Sequence, residues 1–388
     1  MPVILQVLPE LVTGGVERGT IDVAQAIVEA GWRAVVVSAG GPMTRDLERL
    51  GVPHVCLPVN SKNPAVMALN VWRLARVIRE HGVSLVHARS RAPAWSAHAA
   101  ARKAGIPFVT TFHGTYTLGP LAVKREYNRI MTRGDRVIAI SRFIVRHMRE
   151  TYGIDERVVR VIHRGIDTRS FDPDAVRPER LIRLAERWRL PDGAPVIMLP
   201  GRLTRWKGQA VLIEALARLG NPQVRCLLVG SDQGRVAYRA ELESLALSRG
   251  VGGQVHIIDD CDDMPAAYML TDVVVSASTD PEAFGRVVAE AQAMGRAVIA
   301  PNHGAAPEIL KSGATGWLVP PGDPEALAAA LRQALRMDAE TRRAVAEEAI
   351  DHMRTLFSKE TMTERTLYVY KELLFGAPPL ETVLLPDP

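Results

Sequence analysis

Long apolar runs are missing from this 388-residue chain; no stretch approaches the ~20 consecutive apolar residues that a membrane-crossing helix needs. Cysteine is scarce. The three present, Cys56, Cys226 and Cys261, are odd in number and far apart, which excludes a disulfide framework or a cysteine zinc site and reads as thiols in a reducing compartment. Aromatic residues make up only 5% and no nucleic-acid-binding module is visible, so nucleic acid is not expected as a partner. The N-terminal MPVILQVLPELV has no basic n-region and no small-residue cleavage site, so a secretory signal is not expected. Several catalytic signatures are also absent. There is no G-x-G-x-x-G followed by an acidic residue, no G-x-x-x-x-G-K-[ST], no H-E-x-x-H, no G-x-S-x-G and no C-x-x-C. Dehydrogenases, P-loop NTPases, zinc hydrolases and serine hydrolases all lose ground.

What is present is a globular composition, 47% hydrophobic and 23% charged, over a length that suits two domains. The net charge of +5 is unevenly spread. Residues 1–170 hold 24 Lys+Arg against 13 Asp+Glu, and the remainder holds 24 against 30. The densest basic stretch, Lys124 to Arg149, holds eight Lys+Arg. It reads either as a solvated helical face or as a surface for an anionic membrane or an anionic acceptor.

Short, continuous apolar runs alternate with amphipathic ones: VILQVL (3–8), AVVVSA (34–39), SLVHA (84–88), PFVTTF (107–112) and DRVIAI (135–140), with helical patterns over 19–31, 64–82 and 96–105 between them. Those helical patterns end at Gly31, Gly82 and Gly105, as C-terminal caps should. Continuous rather than alternating runs indicate strands buried on both faces, and the strand–helix repetition predicts a doubly wound parallel sheet. The rhythm lapses over a Pro-, Asp- and Arg-rich segment and restarts at 195. The expected organisation is therefore two Rossmann-like doubly wound α/β domains facing a cleft. Residues 1–170 plus a C-terminal helix at about 361–388 form the first, 171–194 a linker, and 195–360 the second.

Ligands of such sheets sit beyond the carboxyl ends of the strands. Four features fall there. Gly14-Gly15-Val16-Glu17 follows the first strand, where paired glycines let N–H groups approach a phosphate. His113 follows PFVTTF, and His87 and Arg89 follow another strand on the same rim. Arg202 and Lys207 follow PVIMLPG, two cations suited to a diphosphate. Glu282 opens a helix after DVVVSAS, with Phe284 and Gly285 at the helix start and Glu290 ~12 Å further along. That separation is too long for a proton-sharing dyad and suits two carboxylates gripping the ends of an elongated polyol. The acidic run Asp259–Asp263 reads as a loop near a nucleotide base or, alternatively, as a divalent-cation site.

In this order GGVE, HARSR, FHG, IAIS, GRLTRWKG, VGSDQG, PEAFGRVVAEAQAMG and GATGWLVPPGD resemble the retaining glycosyltransferases of family 4, the group 1 transferases of the GT-B fold. The resemblance runs from Gly14 to Asp323. The N-terminal GGVERGT, SKNP and HARSRAPAW look most like transferases of lipopolysaccharide core or other envelope glycans. The resemblance implies that Arg202 and Lys207 bind the donor diphosphate, Glu282 the transferred sugar and Glu290 the ribose. It implies that Gly14 and Gly15 meet the distal phosphate, that His113 contacts the donor sugar, and that Phe284 and Gly285 add backbone donors. Glu17, His87 and Arg89 are left to the acceptor. The implied enzyme is a retaining hexosyltransferase that uses a nucleotide-diphosphate sugar, a glycan or lipid-linked acceptor, and no metal or other cofactor. The implied location is the cytoplasm, peripheral to the inner face of the membrane. One departure is visible in Asn302-His303-Gly304-Ala305, where Ala305 stands at the position of a second glycine. A sugar-nucleotide epimerase on the same fold, or a non-catalytic sugar-nucleotide or membrane-binding module, are the competing readings.

Overall fold

The computed structural model describes residues 1–12, 14–116 and 122–380. The chain divides into two compact units, Met1–Gly165 with the segment from Lys359 onward, and Ile166–Ser358. The first is built on β1 (Val3–Val7), β2 (Arg33–Ser38), β3 (His54–Cys56), β4 (Leu85–Ala88), β5 (Phe108–Phe112), β6 (Arg136–Ala139) and β7 (Val159–Val161), in spatial order β3-β2-β1-β4-β5-β6-β7. The second is built on β8 (Val196–Pro200), β9 (Arg225–Val229), β10 (Val255–Ile258), β11 (Val273–Val275), β12 (Ala297–Pro301) and β13 (Gly316–Val319), ordered β10-β9-β8-β11-β12-β13. All recorded strand pairings are parallel. Each sheet therefore reverses its winding once, at β1/β4 and at β8/β11, and these are the crevices where doubly wound folds place ligands.

The central strands β1, β5, β8 and β12 are buried along their whole length, which is why their sequences carry no polar alternation. Helices fill both faces, and two of the buried apolar clusters lie in separate units. One gathers Ile4, Val36, Leu85 and Val109 with Val369 and Tyr370 of the C-terminal helix. The other gathers Ile197, Leu199, Val273 and Ile299 with Leu212, Leu216 and Leu331.

The boundaries differ from those expected. The division falls after Gly165, not at 170, and residues 171–194 belong to the second unit rather than to a linker. Their helix Pro178–Trp188 buries Leu184 and Trp188, packs against the helix Met264–Met269, and sends Arg180 onto Asp263 at 2.5 Å. The C-terminal helix runs Lys359–Phe375, and residues 381–388 of the expected element lie outside the described residues. Two helices begin earlier than their apolar patterns, at Gly15 and at Arg91.

The C-terminal helix is tied to the first sheet by charge as well as by packing. The Glu372 side chain is 1% exposed and accepts from Arg160 Nη2 at 2.8 Å and Arg136 Nε at 2.9 Å. Burial alone would raise its pKa. The hydrogen bonds from Arg160, Arg136 and the Leu380 N–H outweigh burial and hold it below the usual carboxylate range. Its contribution to stability is therefore present at neutral pH and is lost as pH falls through that lowered value. Glu372→Ala, which leaves a buried guanidinium without its carboxylate, is expected to destabilise the first unit by about 3–5 kcal/mol at pH 7. The deficit should shrink in acid. A melt that loses under ~1 kcal/mol would contradict this.

Candidate active site

The second unit's winding reversal brings together the turns after β8 and β11. Gly208, in the left-handed region at φ 72°, lies so close to Ala277 that a Cβ would overlap its carbonyl. The Thr279 N–H donates to Trp206 O at 2.7 Å. Lys207 Nζ reaches Glu282 Oε1 at 2.8 Å, with both side chains largely shielded (13% and 21% exposed). Ser278 Oγ donates to the same carboxylate oxygen at 2.5 Å. Lys207 and Glu282, 75 residues apart in the chain, thus form one group. Arg205 braces the turn by a forked pair to Glu241 at 2.6 and 2.7 Å. Arg202 is exposed, and its side chain has no ion pair among the described residues.

Glu282 is also held through its backbone. Its carbonyl accepts from the Ala305 N–H at 2.9 Å, and a Cβ on Gly304 would fall 2.6 Å from that carbonyl. Gly304 has φ 62°, whereas Ala305 has φ −93° and is fully buried. The close approach therefore needs one glycine, and the alanine costs nothing there. His303 Nε2 donates to Ser278 O at 2.9 Å and closes the loop.

The helix Arg286–Ala293 starts at Gly285, φ 86°, with no side-chain cap, so no N-cap side chain competes for its first N–H groups. Phe284 is buried against Phe357, with ring centroids 6.3 Å apart, and fixes this start. Glu290, 7% exposed, accepts from Tyr268 Oη at 3.0 Å and from Arg286 Nη2 at 2.7 Å. Burial raises its pKa; Arg286 and Tyr268 oppose that rise without cancelling it.

In the first unit the helix Gly15–Glu29 starts at Gly14, again without a side-chain cap. A Cβ on Gly15 would overlap Arg164 Nη1, and one on Gly14 would overlap the Glu17 carboxylate, so both glycines make room for a charged side chain over the turn. Arg164 Nη2 donates to His113 Nδ1 at 3.0 Å. Nδ1 is thus an acceptor, and the ring proton of the neutral imidazole sits on Nε2, which is buried and has no hydrogen-bond partner among the described residues. Burial, then the charges of Arg164 and Arg89, push the His113 pKa well down, so this proton is a neutral donor at pH 7.

Two acceptor assignments do not survive. His87 lies on β4 with no exposed surface, its Nδ1 2.7 Å from Tyr370 Oη and its Nε2 2.7 Å from Thr111 Oγ1. Both ring nitrogens are occupied and burial keeps the ring neutral, so it cannot touch an acceptor. Arg89 is 4% exposed and lies beneath the rim rather than on it. Glu17, half-buried over Gly14, stays at the turn. The acidic loop is engaged with arginines: Asp259 with Arg239, Asp262 with Arg187 at 3.4 Å and Asp263 with Arg180. Among the described residues no three His, Cys, Asp or Glu side chains cluster as a metal would require. Arg164, Tyr268 and Arg286 were not singled out from sequence. Arg164 lies three residues past the end of β7 in VIHRG, a strand-end position of the same kind as the others.

Residues 13–170 match the family described as Glycosyltransferase Family 4, and residues 183–352 match Glycosyl transferases group 1. Over 288 residues the chain is 31% identical to a GDP-mannose-dependent alpha-(1-6)-phosphatidylinositol monomannoside mannosyltransferase of Mycolicibacterium smegmatis, covering 71% of this chain and 72% of that one. A glycosyltransferase from Rickettsia africae has a similar structure, with TM-score 0.90 and 37% identity over 97% of this chain and 99% of that one. Anabaena HepE, solved with UDP, follows at TM-score 0.83 and 25% identity, covering 96% and 100%.

Tyr268→Phe removes a hydrogen bond that favours the ionised Glu290. The Glu290 carboxyl is then expected to titrate at higher pH than in the parent, read by carbon NMR of labelled glutamate. An unchanged titration would show that the hydroxyl does not hold this carboxylate.

Proposed function

The chain belongs to the group 1 glycosyltransferases of family 4, with the GT-B fold, and we propose that it transfers a hexose from a nucleoside-diphosphate sugar to a glycan or glycolipid acceptor with retention of configuration and without an essential metal. The observation that carries this is the Lys207–Glu282 group beside the uncapped helix start at Gly285 and the exposed Arg202. Cleaving a glycosyl–phosphate bond builds positive charge on the sugar and negative charge on the departing diphosphate. Arg202, Lys207 and the N–H groups after Gly285 are aimed at that developing charge. Glu282, oriented by Lys207 and Ser278, accepts sugar hydroxyls, and Glu290 accepts those of the ribose. Retention is assigned to a front-face substitution in which the leaving phosphate takes the acceptor proton. The neutral His113 donates to the sugar. Arg202 and Lys207 supply the charge that a divalent ion supplies elsewhere. The bound UDP of HepE and the GDP-mannose of the mycobacterial relative support a nucleotide-sugar donor.

The basic first 170 residues and the resemblance in GGVERGT and HARSRAPAW support a place in lipopolysaccharide or envelope polysaccharide synthesis, with the first unit resting on an anionic membrane face. The proposed association is peripheral; no helix of the described residues is long and apolar enough to cross a membrane.

Glu282→Ala is expected to cut turnover about 100-fold or more while the melting temperature barely moves. Turnover equal to the parent's would overturn the assignment of Glu282. Binding to vesicles should require anionic lipid and weaken as salt rises; salt-insensitive binding, or none, would remove the membrane from the proposal.

A further inference from the structure

Arg89 is a buried cation with an incomplete set of partners. It stands just past β4, is 4% exposed, and donates from Nη1 to Gln6 Oε1 at 3.1 Å. Its Nε is buried with no hydrogen-bond partner, and no carboxylate lies within 4 Å of the guanidinium among the described residues. The other end of the side chain lies against the helix Gly15–Glu29: a Cβ on Gly19 would sit 3.2 Å from Arg89 Nη2. A guanidinium next to the first turns of a helix faces the positive end of the helix dipole, where a cation is disfavoured. Burial and the helix dipole oppose its charge, and burial outweighs the favourable charges of Asp22 and Glu17.

The cost is recovered if an anion arrives. One turn back from Gly19 are the uncapped Gly14–Gly15 start, Arg164, and His113 with its unpartnered Nε2. Glu17, whose carboxylate lies over Gly14, and Asp22 are the carboxylates whose charge reaches Arg89. Glu17, only half-buried, occupies the turn in the absence of ligand. We propose that Arg89 is a positioning residue that charges the Gly14–Gly15 turn for a phosphate-bearing part of the substrate without touching it. This rests on the reading of the turn as part of the substrate site. The phosphate comes either from the donor diphosphate or from a phosphorylated acceptor, and the two share the chemistry.

The test uses the full chain labelled on glycine nitrogen and histidine carbon, titrated with inorganic phosphate and read at Gly14, Gly15 and His113. Arg89→Met, which keeps the volume and removes the charge, is expected to weaken phosphate binding at the turn about tenfold. It should also move the His113 titration to higher pH, because the Arg89 charge, after burial and Arg164, helps to hold it down. Its melting temperature should equal or exceed the parent's, and Arg89→Lys should restore binding. Phosphate affinity unchanged in Arg89→Met, or absent in the parent, would overturn the proposal. So would early melting of both Arg89→Met and Arg89→Gln, which would make the residue structural. Titration with a sugar monophosphate and with UDP or GDP then assigns the phosphate to acceptor or donor; failure of all of them to shift Gly14 and Gly15 also overturns it. Nucleotide binding lost in Lys207→Ala reports on the second unit alone, so the two readings fail separately.

Discussion

The ion pair between Lys207 and Glu282 is the interaction on which the proposed donor site of the second unit depends. It joins the turns after β8 and β11, the pair of neighbouring strands where the sheet's winding reverses. Three constraints converge to make it: the Gly208–Ala277 approach that excludes any side chain, the Thr279-to-Trp206 backbone bond, and the cradle of Gly304 and Ala305 beneath Glu282. Each acts on the backbone, so the carboxylate and the ammonium are placed before any substrate arrives. Preorganised charge of this kind needs no rearrangement at the moment of reaction.

The two units use burial differently. In the second, a buried carboxylate, Glu290, is kept usable by a phenol and a guanidinium, and its raised pKa is what its position costs. In the first, the buried groups at the ends of β4 and β5 are cations and neutral imidazoles. His87 is locked between Tyr370 and Thr111, while among the described residues the neutral His113 has no partner at Nε2 and Arg89 has none at Nε. The C-terminal helix serves this arrangement directly, since Tyr370 fixes His87 while Glu372 neutralises Arg160 and Arg136.

Much of this was legible in the sequence because a doubly wound sheet announces itself through continuous apolar runs, and its ligand groups cluster where those runs end. That rule singles out Glu282, Lys207, Arg202 and Gly285, and the structure brings Lys207 and Glu282 together. What escaped it has physical causes. β3 and β7 have three residues each, too few to show a period. The helix Ala339–Leu356 buries only Ala349, His352 and Met353, so its apolar stripe is faint. The segment 171–194 looks like a linker because three prolines and five arginines interrupt its apolar residues, yet Leu184 and Trp188 suffice to seat its helix. His87 was misplaced because its partner Tyr370 lies 283 residues away, and Tyr268 was missed because only the fold brings it to Glu290. Strand-end position marks a residue as near the rim, but burial decides whether it reaches the ligand.

The central claim is that fixed protein cations at the β8/β11 reversal, rather than a metal, grip a nucleoside diphosphate. The most direct measurement is the melting temperature with UDP, GDP or ADP, in EDTA and in Mg²⁺. One nucleotide is expected to raise it in EDTA as much as in Mg²⁺, by the equivalent of ~2.7 kcal/mol at 100 times its dissociation constant. No shift with any of the three, or a shift that appears only with Mg²⁺, would contradict it.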